Sequence, residues 1–207
     1  MIVQTKNLDM DTNEFRQSNI FSTPIGSYVL NAEDLSDWIL DMSKNDSGVK
    51  RSNLGGWHSG DYKKPSPEFE TLWSMIDRSV NHFHEQQGLF SNVYITSLWF
   101  NVNHFGSSNS PHTHPNSIWS GVYYIKTPEN CGSIGFVNPN VSQSWIIPKS
   151  IMSDEAAKDK FLQTFLIKPE KNVLYVFPSW LQHFVDANMS QEERISLSFN
   201  TKLVNIT

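Results

Sequence analysis

Two histidines stand one residue apart in the segment Pro111-His112-Thr113-His114-Pro115. In an extended chain residues i and i+2 project to the same face, so both imidazoles can bind one ion. The bracketing prolines restrict the backbone and suit a preorganised pair. A third histidine, His183, follows a tight turn in Val176-Phe177-Pro178-Ser179-Trp180-Leu181-Gln182-His183 and opens another strand-like run. Imidazole is a common ligand for transition metals, and a closed β fold can bring His183 to the pair despite the long separation. Further on, Arg194 opens Arg194-Ile195-Ser196-Leu197-Ser198-Phe199-Asn200, with Ser196 and Ser198 on its own face. A buried guanidinium needs an anionic partner, and its planar fork matches a carboxylate. Each feature also has a plainer reading: an exposed H-x-H in a loop, and an arginine at a strand edge facing water. His82 and His84 are expected on the surface near a helix end, and His104 fits either setting.

The elements that must position these groups fall into two textures. Before Gly88 the pattern is helical. One helix is expected from about Ala32 to Ser43, capped by Asn31, with Leu35, Trp38, Ile39 and Met42 as its apolar stripe. A second is expected from about Pro67 to Gln87, capped by Ser66 and closed by Gly88, burying Leu72, Met75, Ile76, Ser79, Val80 and Phe83. Between them the Gly-rich run 52–60 reads as a loop, either a surface turn anchored by Trp57 or a cover over a site. After Gly88 the sequence predicts short strands near 94–104, 118–126, 133–137, 161–168, 172–177, 183–186 and 194–202, separated by Pro/Asn/Gly turns. Strands in series without intervening helices indicate a β-sandwich or barrel. Residues 1–20 read as a polar lead-in to a single domain over 21–207, and 153–160 as a charged insert.

Composition removes several function classes. The net charge of −5 disfavours broad nucleic-acid binding through a basic surface. The single cysteine, Cys131, excludes an internal disulfide framework or a Cys-rich zinc site, and points to a reducing, cytoplasmic setting. The N-terminal stretch lacks the basic-then-apolar pattern of a signal peptide, and no apolar run is long enough to cross a membrane. Aromatic residues at 13% supply ample surface for a core.

The two close histidines, the distant histidine and the arginine eleven positions later resemble the Fe(II)/2-oxoglutarate-dependent dioxygenases. Further blocks carry the same resemblance, in order: Ser52 to Ser59, Trp99-Phe100-Asn101-Val102-Asn103, Ser120-Gly121-Val122-Tyr123-Tyr124-Ile125 and Phe177 to His183. They are similar to a subfamily of unassigned substrate and cover the chain from about Phe21 to Asn200. The resemblance implies a double-stranded β-helix, jelly-roll or cupin-like, with the N-terminal helices packed outside. It implies Fe(II) on His112, His114 and His183, with 2-oxoglutarate and molecular oxygen as cosubstrates. Arg194 would bind the distal carboxylate of 2-oxoglutarate, with Ser196 or Tyr124 adding a hydroxyl. Hydroxylation of a small molecule or protein side chain would release succinate and carbon dioxide. One departure stands out: the superfamily usually has a carboxylate where this chain has His114. Either three histidines bind the metal, or the register moves by two, to His114 and Asn116. Candidates for the substrate rim are Asn101, Asn103, Trp57 and Trp180, with lids over 106–109 and 141–157; Trp119 and Trp145 receive no role. Two other classes stay open: a cupin-like three-His enzyme that does not use 2-oxoglutarate, and a noncatalytic β-sandwich binding protein. Free edge strands leave a homodimer open.

Overall fold

The computed structural model describes residues 22–140, 142 and 162–204. The expected lead-in 1–20, Trp145, the charged insert 153–160 and nearly all of the candidate lid 141–157 lie outside those residues. In chain order the elements are β1 (Gly26–Val29), α1 (Ser36–Asn45), β2 (Asn53–Leu54), β3 (Trp57–His58) and α2 (Glu70–Gln86). They continue with β4 (Val93–Asn103), β5 (Ser108–His112), β6 (Trp119–Lys126), β7 (Ile134–Val137), β8 (Thr164–Ile167), β9 (Val173–Pro178), β10 (His183–Val185) and β11 (Arg194–Leu203). They form a six-stranded sheet in the order β1-β9-β6-β11-β4-β3 and a five-stranded sheet in the order β2-β5-β10-β7-β8. All pairings are antiparallel among the described strands. This is the mainly β, double-stranded β-helix architecture expected from the sequence, with two helices on one side.

Alternation along β4 and β11 decides which face does what. Leu98, Phe100 and Val102 of β4 and Ile195, Leu197 and Phe199 of β11 point outward, into a core completed by Ile39 of α1 and Leu72, Ile76, Val80 and Phe83 of α2. Each fully buried side chain of this kind contributes about 1.5–3 kcal/mol. The opposite faces carry Ser97, Trp99, Asn101 and Asn103, and Arg194, Ser196, Ser198 and Asn200, all lining one cavity. The register places Asn103 across from Arg194 and Asn101 across from Ser196. Further along the same inner face the lining turns apolar: Val122, Tyr124, Tyr175 and Phe177 meet Ile134 and Phe136 of the facing sheet. Here β6 lies between β9 and β11, and a Cβ on Gly121 would stand 2.5 Å from the Phe199 ring and 2.6 Å from the Tyr175 carbonyl oxygen. Only glycine fits there.

Both helices start later than their sequence signals suggest. Asp34 Oδ1 accepts from the Ser36 backbone N–H at 2.9 Å, so the chain turns at Asp34 and α1 begins after it rather than at Asn31. Ser66 does not cap α2 through its side chain. Its hydroxyl goes to Glu68, and its carbonyl accepts from Phe69 N in a separate turn. Gly88, at φ +71°, closes α2 as expected. His84 was expected at the surface but is 2% exposed, because Trp119 Nε1 donates to its Nδ1 at 2.9 Å across the core. The short strands β1, β2, β3 and β5 were not anticipated; β5 contains Pro111, which its sequence neighbours disguise as loop.

Candidate metal centre and cosubstrate pocket

His112 is the last residue of β5 and His183 the first of β10, and the two are register partners. His114 lies beyond the end of β5, so the pair does not share one strand face as the spacing suggested. Its backbone N–H instead donates to the Ser179 carbonyl at 2.9 Å, tying it to the turn between β9 and β10. One ring nitrogen from each of the three lies within 4.8 Å of the others, as ligands of a single ion must. The rings themselves are 4.4–5.1 Å apart between centroids.

Hydrogen bonds fix two of the three tautomers. His112 Nδ1 lies 2.7 Å from the Ser110 carbonyl, and His183 Nδ1 lies 2.9 Å from the Leu181 carbonyl. A carbonyl accepts only from N–H, so each Nδ1 carries the proton and each Nε2 presents a lone pair. His114 has no such orienting bond on its ring among the described residues. Burial favours the neutral form of all three. It pushes His183 down to about 3 and His114 down to about 4, with the neighbouring imidazoles adding to the effect, and it also lowers His112.

The cavity beneath is about 570 Å³. At its deep end Arg194 is 1% exposed. Its Nη1 donates to the carbonyls of Cys131 and, at 3.1 Å, Asp186, while its Nη2 has no partner among the described residues. Tyr124 Oη, also fully buried, has no partner among the described residues either. Burial raises the phenol's pKa, so Tyr124 remains a donor. Ser196 pairs with Tyr124 across β6–β11 and lines the same cavity. Leaving such donors buried and unsatisfied is costly, and a carboxylate would satisfy both. Three imidazole nitrogens close enough to share one ion, and two buried donors without a partner among the described residues in the same cavity, fit a metal ion and a dicarboxylate.

Of the rim candidates, Asn101 and Asn103 line the cavity. Trp57 and Trp180 do not. Trp57 faces the helices, with Nε1 donating to the Asp46 carbonyl, because its neighbour His58 takes the inward position on β3. Trp180 is 58% exposed on the β9–β10 turn. The expected lid at 106–109 is pinned to the β10–β11 connection by Gly106 N to Asn188 O and Asn188 N to Ser107 O. Sequence reasoning missed the aromatic wall. Trp99 lies 5.7 Å from the His114 ring on one side and stacks at 5.4 Å, 6° from parallel, on His58. Inward alternation from Asn101 was the signal that could have found Trp99. His58 had none, since its strand is two residues long.

The sequence model of a family described as "Putative 2OG-Fe(II) oxygenase" matches residues 97–200, half of the chain. The chain belongs to this family. The matched span contains all three histidines, Tyr124, Arg194 and Ser196. The family's metal and cosubstrate are Fe(II) and 2-oxoglutarate. No curated protein sequence matches the chain. Among solved structures, a prolyl-4-hydroxylase from Pseudomonas putida is 12% identical with a TM-score of 0.61, over 89% of this chain and 95% of that one. HygX from Streptomyces hygroscopicus, solved with nickel, 2-oxoglutarate and hygromycin B, is 10% identical with a TM-score of 0.60, over 89% and 85%. A 2OG-Fe(II) oxygenase family oxidoreductase from Burkholderia pseudomallei is 16% identical with a TM-score of 0.51, over 68% of this chain. The chain spans 58% of that protein's length. These likenesses establish the double-stranded β-helix fold.

Proposed function

We propose that His112, His114 and His183 hold Fe(II), that Arg194, Tyr124 and Ser196 seat the distal carboxylate of 2-oxoglutarate, and that the enzyme hydroxylates a C–H bond of a polar substrate. The overall conversion consumes substrate, 2-oxoglutarate and oxygen, and yields hydroxylated product, succinate and carbon dioxide. Bound Fe(II) supplies a template and redox centre. The chain's own residues do the rest. Arg194 and Tyr124 fix the far end of the cosubstrate. The Ser110 and Leu181 carbonyls hold two ligand rings in place. Val122, Ile134, Phe177 and Val185 keep the interior dry. Asn101, Ser198 and Asn200 offer hydrogen bonds, with Trp99 beside the ligands as an aromatic wall. The observation that carries this reading is that Arg194 Nη2 and Tyr124 Oη, both buried and without a partner among the described residues, belong to the same cavity as the three imidazoles. It also favours this chemistry over a three-His enzyme without 2-oxoglutarate, which has no use for the arginine.

The same proposal places the protein in the cytoplasm, supported by its one cysteine and its need for reduced iron. Among the described residues no helix is long and apolar enough to cross a membrane. The net charge argues against broad nucleic-acid binding, and the edges of both sheets could serve a homodimer. The test is anaerobic titration with Fe(II) and then 2-oxoglutarate, following the visible absorption of the chelate. The intact protein should develop it, and His183→Ala should not. A protein that retains stoichiometric Fe(II) yet never develops the band would refute the assignment.

A further inference from the structure

The charges in the cavity do not balance. Asp61 is the one carboxylate among its described lining residues, and Lys63 pairs with it at 3.6 Å. The three candidate ligands are neutral imidazoles, with His114 standing where a carboxylate ligand is usual. With Fe(II) in place and Arg194 at the deep end, the interior carries three positive charges against the two negative charges of 2-oxoglutarate. A carboxylate ligand would cancel the remainder; this chain has none. Uncompensated charge in a buried site is expensive, so the site selects an anion. Arg51 extends the positive field to the mouth. It lines the cavity, and no carboxylate lies within 4 Å of its guanidinium among the described residues. Its neighbour Ser52 places Oγ 3.5 Å from His112 Nε2, so Arg51 sits one residue from a group touching the metal ligands.

Building on the proposed oxygenase function, we infer that the substrate is a polar small molecule bearing a carboxylate or phosphate, held with that group toward Arg51. Its uncharged part faces neutral hydrogen-bonding groups, Asn101, Ser198 and Asn200, beside Trp99. A neutral substrate would leave the interior excess uncompensated, and would leave Arg51, which is exposed and solvated, without a role in binding.

The probes are acetate and methyl phosphate, with acetamide as the neutral control, added anaerobically to full-length protein already loaded with Fe(II) and 2-oxoglutarate. Binding is read by calorimetry, and displacement of 2-oxoglutarate by loss of the chelate's absorption. One further anion should bind with the absorption retained, and acetamide should not. Whichever of acetate and methyl phosphate binds more tightly identifies the anionic group. Arg51→Gln should weaken that binding about tenfold while Arg51→Lys keeps most of it. His114→Asp, which returns a negative charge to the metal, should weaken it comparably in protein that still takes up Fe(II) and 2-oxoglutarate. No anion binding to a protein that has taken up 2-oxoglutarate, or binding unchanged in Arg51→Gln, overturns the inference. Failure to take up 2-oxoglutarate is seen before any anion is added and refutes the oxygenase assignment itself.

Discussion

Truncating the Arg194 side chain removes the only buried cation among the described residues that line the cavity, while leaving the three candidate ligand imidazoles untouched. Breaking one partner of a buried, hydrogen-bonded charge pair costs about 2–5 kcal/mol, so Arg194→Met should weaken 2-oxoglutarate binding by roughly a hundredfold or more. Tyr124→Phe removes one neutral donor to a charged acceptor and should weaken it about tenfold. Fe(II) uptake should stay stoichiometric in both, measured by anaerobic titration. Trp180→Ala, outside the cavity, should change neither; a comparable loss there would mean that general destabilisation, not carboxylate recognition, is being read. Arg194 was legible in the sequence as a buried, cavity-lining residue because a full charge at the head of an apolar strand has few structural uses. The three histidines were legible likewise. Trp57 was misassigned and His58 missed because one residue of register decides which of the two faces inward. That register comes from pairing with β4 far along the chain, not from local composition.

Long β-branched and aromatic runs were readable almost to their ends, as β4, β6 and β11 are, because both the helix-packed outer face and the cavity-lining inner face are buried. Short strands stabilised only by their partners, such as β2 and β3, left no local pattern. Helix starts were misjudged where side chains bonded locally instead of capping. Asp34 is the clearest case. Its Oδ1 receives the Ser36 N–H, and its Oδ2 lies 2.7 Å from Lys171 Nζ, tying the approach to α1 to the β8–β9 turn. The bond to Lys171, then that to Ser36, holds the Asp34 carboxyl down to about 2. A carboxyl whose folded pKa lies below its unfolded value near 3.9 stabilises the fold above that value and loses the contribution as pH falls toward about 2. Both partners are about half exposed, so solvent screens the pair. Asp34→Asn should therefore cost less than about 1 kcal/mol at pH 7, and the difference from the parent should shrink steadily below about pH 4 and be largely gone as pH falls through about 2. Urea denaturation at several pH values measures this; a penalty that persists undiminished at pH 2 would assign it to the turn geometry instead.

At the scale of the whole molecule, the two sheets contribute different parts of one site. The candidate metal ligands come from β5, the turn after it and β10, all associated with the five-stranded sheet, whereas Arg194, Tyr124 and Ser196 belong to the six-stranded sheet. A metal with its chelated cosubstrate would therefore connect the sheets across a cavity whose walls near the mouth are polar and contribute little hydrophobic cohesion. Anything that binds only the folded state stabilises it by mass action, about 2.7 kcal/mol at a hundredfold excess over Kd. For a chain of this size each kcal/mol raises Tm by about 2–4 °C. Anaerobic Fe(II) followed by 2-oxoglutarate, each at such an excess, should thus raise Tm in two increments of roughly 5–10 °C. A chelator should reverse both. Arg194→Met should retain the first and lose most of the second at the same cosubstrate concentration, and His183→Ala should lose both. The order of addition carries the argument: if 2-oxoglutarate gave its full increment without metal, the carboxylate anchor alone would suffice and the two sheets would not be coupled through the ion.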